Sequence, residues 1–429
     1  MRPFSKTRLA LSATFVFCIV FNVELAQPEG LSLSVLALLI GTLVLVATNR
    51  LVLVRERRFL VSFGLTLPAL YLSFVHTQLL QSDAQTLALL YLKTQVYVFV
   101  AICVFWSLFL RAARSTPEQL SQFVMASIVW AFAAQALFVL YSFVSPEFRA
   151  SIDGLLLAKG NLTGLEGFRF KGLANSGGAN LSMAMSFAAA MAAYLAIAAR
   201  RPVYAMLALL ILAASALVGR SGLVGFAVIG LAFLVRTLLA ADLPRLRTIG
   251  ALTVVGGLAA LGVAAADMSP DDDTMLWWNW FSGEAVDSLG ELWGMYTHDP
   301  SIVDLLVGKG VFEVEPVGNA ASDPGYLKAV FAVGVPAALL FYAGLLVVYV
   351  SGARAFASMA SNKRIAATFV ALLVFLIFFY ESKESMAFQN FTGRLMLFAF
   401  LLFKIIAAAD AVRQHRLGAA RPEPLHEPT

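Results

Sequence analysis

Twelve stretches of this chain approach the length of apolar sequence that crosses a bilayer, and this succession constrains the fold more than any other feature. A membrane helix needs about 20 mostly apolar residues. The first six stretches are Leu9–Ala26, Leu31–Thr48, Phe59–Val75, Thr86–Leu110, Gln119–Val144 and Ser176–Ala199. The second six are Val203–Val218, Gly222–Leu239, Thr248–Ala266, Tyr326–Val350, Ile365–Tyr380 and Leu395–Val412. Soluble domains are about 45–50% apolar and about 25% charged, whereas this chain is 60% hydrophobic and 13% charged. No soluble core hides so much apolar surface. The expected fold class is therefore all-α: a polytopic membrane protein of about twelve helices, one transmembrane domain over residues 1–412 and a disordered polar tail over 413–429.

The formal charge of +5 would suggest nucleic acid in a soluble protein, but here most basic residues sit between the apolar stretches. Cytoplasmic loops of membrane proteins carry an excess of Lys and Arg. With the amino terminus placed inside, twenty of the 31 Lys and Arg fall in internal segments. The expected topology has both termini in the cytoplasm and no nucleic-acid partner. The two cysteines, Cys18 and Cys103, lie in apolar runs, so neither a disulfide framework nor a thiol metal motif is expected. Two external segments are long, 145–175 and 267–325, and loops of that length in compact proteins usually carry function.

Eleven basic residues remain outside the internal group. Lys93 and Lys404 fall within apolar stretches. The other nine, Arg149, Lys159, Arg169, Lys171, Arg220, Lys309, Lys328, Lys383 and Arg394, face outward against the positive-inside bias, and an anionic partner there explains them most simply. Phe168-Arg169-Phe170-Lys171 alternates ring and cation, so an extended backbone sends the two types of side chain to opposite sides. The same pattern suits a loop lying on the membrane. Asn175 follows, a suitable N-cap for the next span, with glycines that open the helix N-terminus to an anion. Arg220 stands between glycines in the turn Gly219-Arg220-Ser221-Gly222, where its planar fork suits a phosphate or anchors a headgroup. Lys383 and Arg394 bracket the last external turn with Glu381.

The 267–325 loop differs in kind, with a net charge of −11 and four of the six tryptophans. Trp280 and Trp293, beside carboxylates, suit sugar rings; an interfacial aromatic belt accounts for the same residues. Asp271-Asp272-Asp273 near His298 matches no metal-ligand spacing, so no metal and no other cofactor is expected.

This arrangement resembles the bacterial O-antigen polymerases of the Wzy type and the related O-antigen ligases. Val218-Gly219-Arg220-Ser221-Gly222-Leu223 is similar to that superfamily's Ser-Arg-bearing helix turn, with the order reversed. Leu305-Leu306-Val307-Gly308-Lys309-Gly310 is similar to its Leu-Phe-Gly-x-Gly segment. Ser322-Asp323-Pro324-Gly325-Tyr326-Leu327, followed by Gly334, is similar to the entry to the span after the large loop. Ligases carry a His-x-x-Asn type motif there; Asp323 and Tyr326 in its place favour a polymerase. Arg149 with Gly160 fits the loose Arg-x10-Gly pattern of polymerase loops, whose companion in the large loop is missing.

The resemblance implies a GT-C-like glycosyltransferase architecture in the bacterial inner membrane. It also implies an undecaprenyl-pyrophosphate-linked oligosaccharide as substrate, with a chain-length regulator and a flippase as partners besides membrane lipids. On that reading Arg169, Lys171, Arg220, Lys383, Arg394 and Asn175 hold the pyrophosphate. Tyr326, Trp280 and Trp293 bind sugar, and Asp323, His298 or Glu381 supplies a base. Two alternatives stand beside it: a ligase moving the glycan to lipid A core, and a twelve-span transporter or flippase.

Overall fold

The computed structural model describes residues 5–21, 23–26, 31–52, 57–80, 85–113, 115–156, 170–174, 178–199, 201–239, 301–310, 325–382 and 391–419. The chain begins with α1 (Lys6–Phe21), a two-strand antiparallel pair β1 (Glu24–Leu25) and β2 (Leu31–Ser32), and α2 (Leu33–Ala47). There follow α3 (Arg57–Leu80), α4 (Gln85–Phe105) ending in a π-helical turn (Trp106–Leu110), α5 (Pro117–Val144) and the short α6 (Pro146–Leu155). Next come α7 (Ala179–Ala199), α8 (Pro202–Val218) and α9 (Arg220–Leu239). The last four are α10 (Ile302–Val307), α11 (Gly325–Met359), α12 (Lys363–Glu381) and α13 (Phe391–Ala419).

Eleven of the twelve apolar stretches are helical, with ends shifted by a few residues. The ninth, Thr248–Ala266, lies outside the described residues. Among the described residues six helices are long and apolar enough to cross a bilayer: those containing Tyr91–Leu110, Pro117–Val144, Ala179–Ala199, Gly325–Met359, Lys363–Glu381 and Phe391–His415. The protein is thus an all-α, membrane-embedded helical bundle. Its last helix runs on through Arg413 to Ala419, beyond where the polar tail was expected to begin.

Polar contacts sort the connections onto two ends. At the basic end, the Arg8 guanidinium reaches the Phe109 carbonyl, Arg111 Nη1 lies 3.5 Å from the Arg50 carbonyl, and Ser361 donates its N–H (3.0 Å) and hydroxyl (2.8 Å) to Glu118. At the opposite end, here the loop end, Ala26 donates to the Leu155 carbonyl (2.9 Å), joining the strand pair to α6. Alternation of helix direction, read from the sequence, therefore holds wherever two described connections touch.

The bundle is organised around α7, in which every residue from Leu181 to Ile197 is buried. Its sequence explains this. Ten of its 21 residues are alanine, and small side chains let neighbouring backbones approach where lipid offers no hydrophobic drive for association. Helices α5, α8, α9 and α13 pack around it. By contrast α2 packs one side, through Leu38, Gly41 and Leu45, and leaves Val35, Leu39, Ile40, Leu43 and Val46 each more than half exposed.

Helix α11 is not one straight span. Gly334 sits inside it at φ 78°, ψ 165°, and Pro336 follows. Tyr326 and Tyr342, 16 residues apart, nevertheless have ring centroids only 4.9 Å apart, where a straight helix would separate their Cα atoms by about 24 Å. The helix is a V with its apex at Gly334, and the two tyrosines face each other across it, each eight residues from the apex. The Phe331 carbonyl, freed by the break, accepts the N–H of Lys309 (2.7 Å). Gly308, at φ 81°, lets the end of α10 lie backbone to backbone against Val333 and Gly334. The expected span from Tyr326 to Val350 is corrected accordingly. The crossing arm begins after Gly334, and Tyr326 belongs to the short return arm.

Candidate functional site

Four helix ends, three of them carrying candidate residues, meet at the loop end. Ser182, one turn into α7, is fully buried: its Oγ accepts the Gly222 N–H (2.9 Å), donates toward the Gly219 carbonyl, and lies 3.1 Å from Ser215 Oγ. Ser215 donates back to the Ser182 carbonyl (3.1 Å). The α8–α9 turn is thereby clamped onto α7. A side chain at Gly222 would fall on the Ser182 carbonyl, so this position needs glycine for close approach. Arg220 heads α9 itself; the connection between α8 and α9 is Gly219 alone, tighter than the four-residue turn expected.

From the other side Tyr380, near the end of α12, donates its hydroxyl to the Ser221 carbonyl (3.1 Å) and lies 3.2 Å from Ser186 Oγ. At the head of α13, Thr392 reaches the Asn180 carbonyl (3.4 Å). The N-termini of α7, α9 and α13 therefore adjoin, beside the C-terminus of α12. Helix N-termini carry partial positive charge and orphan N–H donors, and the structure brings three such termini together, with Arg220 and Arg394 in the first turns of two of them.

Arg394 lies deeper than a surface clamp. Its guanidinium stacks 5.2 Å from the centroid of the Tyr97 ring, its Nε is buried with no hydrogen-bond partner among the described residues, and the Glu24 carboxylate is within electrostatic reach. Tyr97 in turn donates to the Ile19 carbonyl (2.9 Å). This contact fixes heights. Tyr97 is level with the last turn of α1, so α4 rises twelve residues, about 18 Å, past that level. Lys93, one turn above Tyr97, thus stands at the loop end of α1 and not at mid-membrane as the apolar stretch suggested.

The remaining site expectations divide. Glu381 is 1% exposed and accepts the Tyr342 hydroxyl at 2.8 Å. It is a buried carboxylate held by α11. Tyr326 donates to the Phe378 carbonyl (2.7 Å), so its hydroxyl ties the return arm of α11 to α12. Lys171 is paired with Asp153 of α6 at 3.0 Å, and Gln135 of α5 donates to its carbonyl (2.6 Å); its ammonium serves the fold. The neighbouring Phe170 is buried, in keeping with the alternation. Lys309 pairs with Asp304 (3.5 Å) and lies over the Phe331 ring. Hydrogen bonds from Ser301, with Lys309 beside it, hold the partly exposed Asp304 carboxyl below its usual range. Arg169, Asn175, Trp280, Trp293, His298, Asp323 and Lys383 lie outside the described residues.

Sequence reasoning passed over Ser182, Ser186, Ser215, Tyr380, Tyr342 and Tyr97. One signal was available: Ser182 and Ser186 are an i,i+4 pair, so they share one face of an otherwise apolar helix. Among the described residues no three His, Cys, Asp or Glu side chains stand close enough to hold a metal ion. No family model matches the chain, and no curated protein is significantly similar to it.

Proposed function

We propose that this protein polymerises undecaprenyl-pyrophosphate-linked oligosaccharide repeat units at the periplasmic face of the bacterial inner membrane. The observation that carries this reading is the adjoining of the heads of α9 and α13, which bear Arg220 and Arg394, with the Tyr380–Glu381 end of α12. On this reading the chain has twelve spans, cytoplasmic termini and a GT-C-like architecture, and the loop end is periplasmic.

Pyrophosphate is a good leaving group whose departure needs stabilisation of developing negative charge. Preorganised cations and helix N-termini in a partly dry site supply it, and losing one such donor typically costs about 100–1,000-fold in rate. Arg220 and Arg394 take this role, joined by Arg169, Asn175 and Lys383. Lys171 takes part only after leaving Asp153. The acidic, tryptophan-rich 267–325 segment holds the acceptor glycan, and a carboxylate or imidazole among Asp323, His298 and Glu381 takes the acceptor proton.

The test is twofold. A deletion strain of a polymerase retains lipopolysaccharide capped by a single repeat unit, whereas loss of capped core marks a ligase. Purified protein in detergent, with no sealed compartment, extends lipid-linked repeat units, and Arg220→Ala reduces turnover by about 100-fold or more. Normal turnover in Arg220→Ala overturns the clamp, and absence of any polymerisation by the wild type overturns the reading.

A further inference from the structure

The α1–α2 side of the bundle is too short for an ordinary bilayer. Three rulers agree, those on α1 and α4 sharing the Ile19–Tyr97 contact as their upper end. Helix α2 has 15 residues, about 22 Å of rise. On α1, the distance from Arg8, anchored at the basic end, to Ile19, anchored to Tyr97, is eleven residues, about 16 Å. On α4, Tyr97 to Arg111 is 14 residues, about 21 Å. The hydrocarbon core of a typical bilayer is about 30 Å thick, and any tilt shortens all three further. Helices α7 and α12 match it, with 21 and 19 residues, about 31 and 28 Å.

Both ends of the short side are fixed by polar groups that do not belong in hydrocarbon. At the loop end these are Glu24, Ser32, Ser34, Tyr97 and Arg394: Ser32 and Ser34 hydroxyls lie 2.6 Å apart, and Ser34 hydrogen-bonds Tyr97. At the basic end Asn49, in the left-handed conformation at φ 52°, ends α2 sharply, and Ser107 accepts the Val52 N–H at 3.1 Å. Between these girdles α2 presents its exposed aliphatic face, Val35 to Val46. Such a band, uncovered along one helix and closed by polar groups above and below, fits lipid tails.

We propose that the bilayer is compressed along the α1–α2 face, bringing its phosphate plane on the loop side level with Arg394. A hydrophobic stretch shorter than the local bilayer is accommodated by thinning it. The occupant is the lipid surface itself, and a lipid phosphate drawn down at this face arrives laterally at the guanidinium that a bilayer of full thickness would leave below the headgroups. The proposal rests on the membrane embedding alone, not on the polymerase reading, and its test uses no glycan substrate.

Two measurements decide it. In a Cys18→Ala, Cys103→Ala background, nitroxides at Val35→Cys and Val46→Cys, about 16 Å apart on α2, are placed in phosphatidylcholine bilayers and their depths read from oxygen and nickel accessibility. Compression puts both within a few ångströms of the headgroup boundary. A flat bilayer leaves a combined depth of about 14 Å, which overturns the proposal, as does shielding of both labels from lipid and water by a protein partner. The wild-type chain, unlabelled and in lipid nanodiscs, supplies the second reading by cryo-electron microscopy. Headgroup densities lie closer together beside α2 than beside α12; equal spacing overturns the proposal.

Discussion

Replacing Ser182 with alanine tests whether one hydroxyl holds the α8–α9 turn in place. The Ser182 oxygen is fully buried and serves two backbone groups of that turn, accepting from Gly222 and donating toward Gly219. Alanine removes both bonds and leaves the Gly222 N–H and the Gly219 carbonyl without this partner in a buried setting. A buried group left unsatisfied costs about 1–3 kcal/mol, while hydrogen bonds inside membrane bundles average about 0.6 kcal/mol. Two groups together therefore give a loss between about 1 and 6 kcal/mol. The volume change, one oxygen, adds little. Denaturant unfolding of the purified protein in mixed micelles reads the difference, with Ser151→Ala as reference, because the Ser151 bond to Glu147 is exposed. A loss below about 0.5 kcal/mol, equal to the reference, refutes the reasoning. It would mean that the turn is held by the packing of α7 against α8 and α9 alone.

Three further outcomes are expected. Gly334→Ala forces a side chain into a glycine-only backbone region and onto the Leu306 backbone, costing about 2 kcal/mol or more in the same unfolding experiment; an unchanged midpoint would show that the V opens without penalty. Tyr342→Phe removes a hydrogen bond from the buried Glu381 carboxylate, destabilising by about 1–3 kcal/mol, and Glu381→Gln in that background recovers part of the loss. The Asp304 carboxyl is held below its usual range by Ser301 and Lys309, so its contribution to the capping of α10 is present above the unfolded value of about 3.9 and is lost as pH falls through the lower folded value. Hydrogen exchange of Ile302–Val307 should quicken over that acidic window relative to the rest of the bundle, and Asp304→Asn should abolish the pH dependence.

Much of the architecture was legible in the sequence because the free energy of placing a segment in lipid is a property of that segment. The apolar stretches within the described residues became helices with ends shifted by a few residues, and the alternation of basic and less basic connections matched the two ends wherever described contacts exist. Part of the site was legible too. Arg220 and Arg394 stood out as cations on the wrong side of the charge bias, and both sit at the head of a helix at the loop end. Lys171 and Lys309 stood out by the same criterion, yet they pair with Asp153 and Asp304. Charge bias counts cations and does not show how each is paired.

The serines and tyrosines that knit the site were hidden for a related reason. A single hydroxyl scarcely alters the hydropathy of a twenty-residue window, so Ser182 and Tyr380 read as incidental until their helices were brought together. The mutual fit of Gly308 and Gly334 is likewise a statement about two backbones, and neither glycine announces the other.

By itself the sequence determined that this chain is a helical membrane protein and where its helices run, since backbone groups in lipid must be satisfied within each helix. It determined also which residues oppose the prevailing charge bias. Only the tertiary structure decided heights. That α4 rises past the end of α1, that Tyr326 turns back beside Tyr342, and that Arg394 lies at the foot of a short α1–α2 face all depend on how helices are staggered along a common axis. Stagger is set by side-chain contacts between segments far apart in the chain, Tyr97 with Ile19 and Gly308 with Gly334 among them, and no window along the sequence contains both partners.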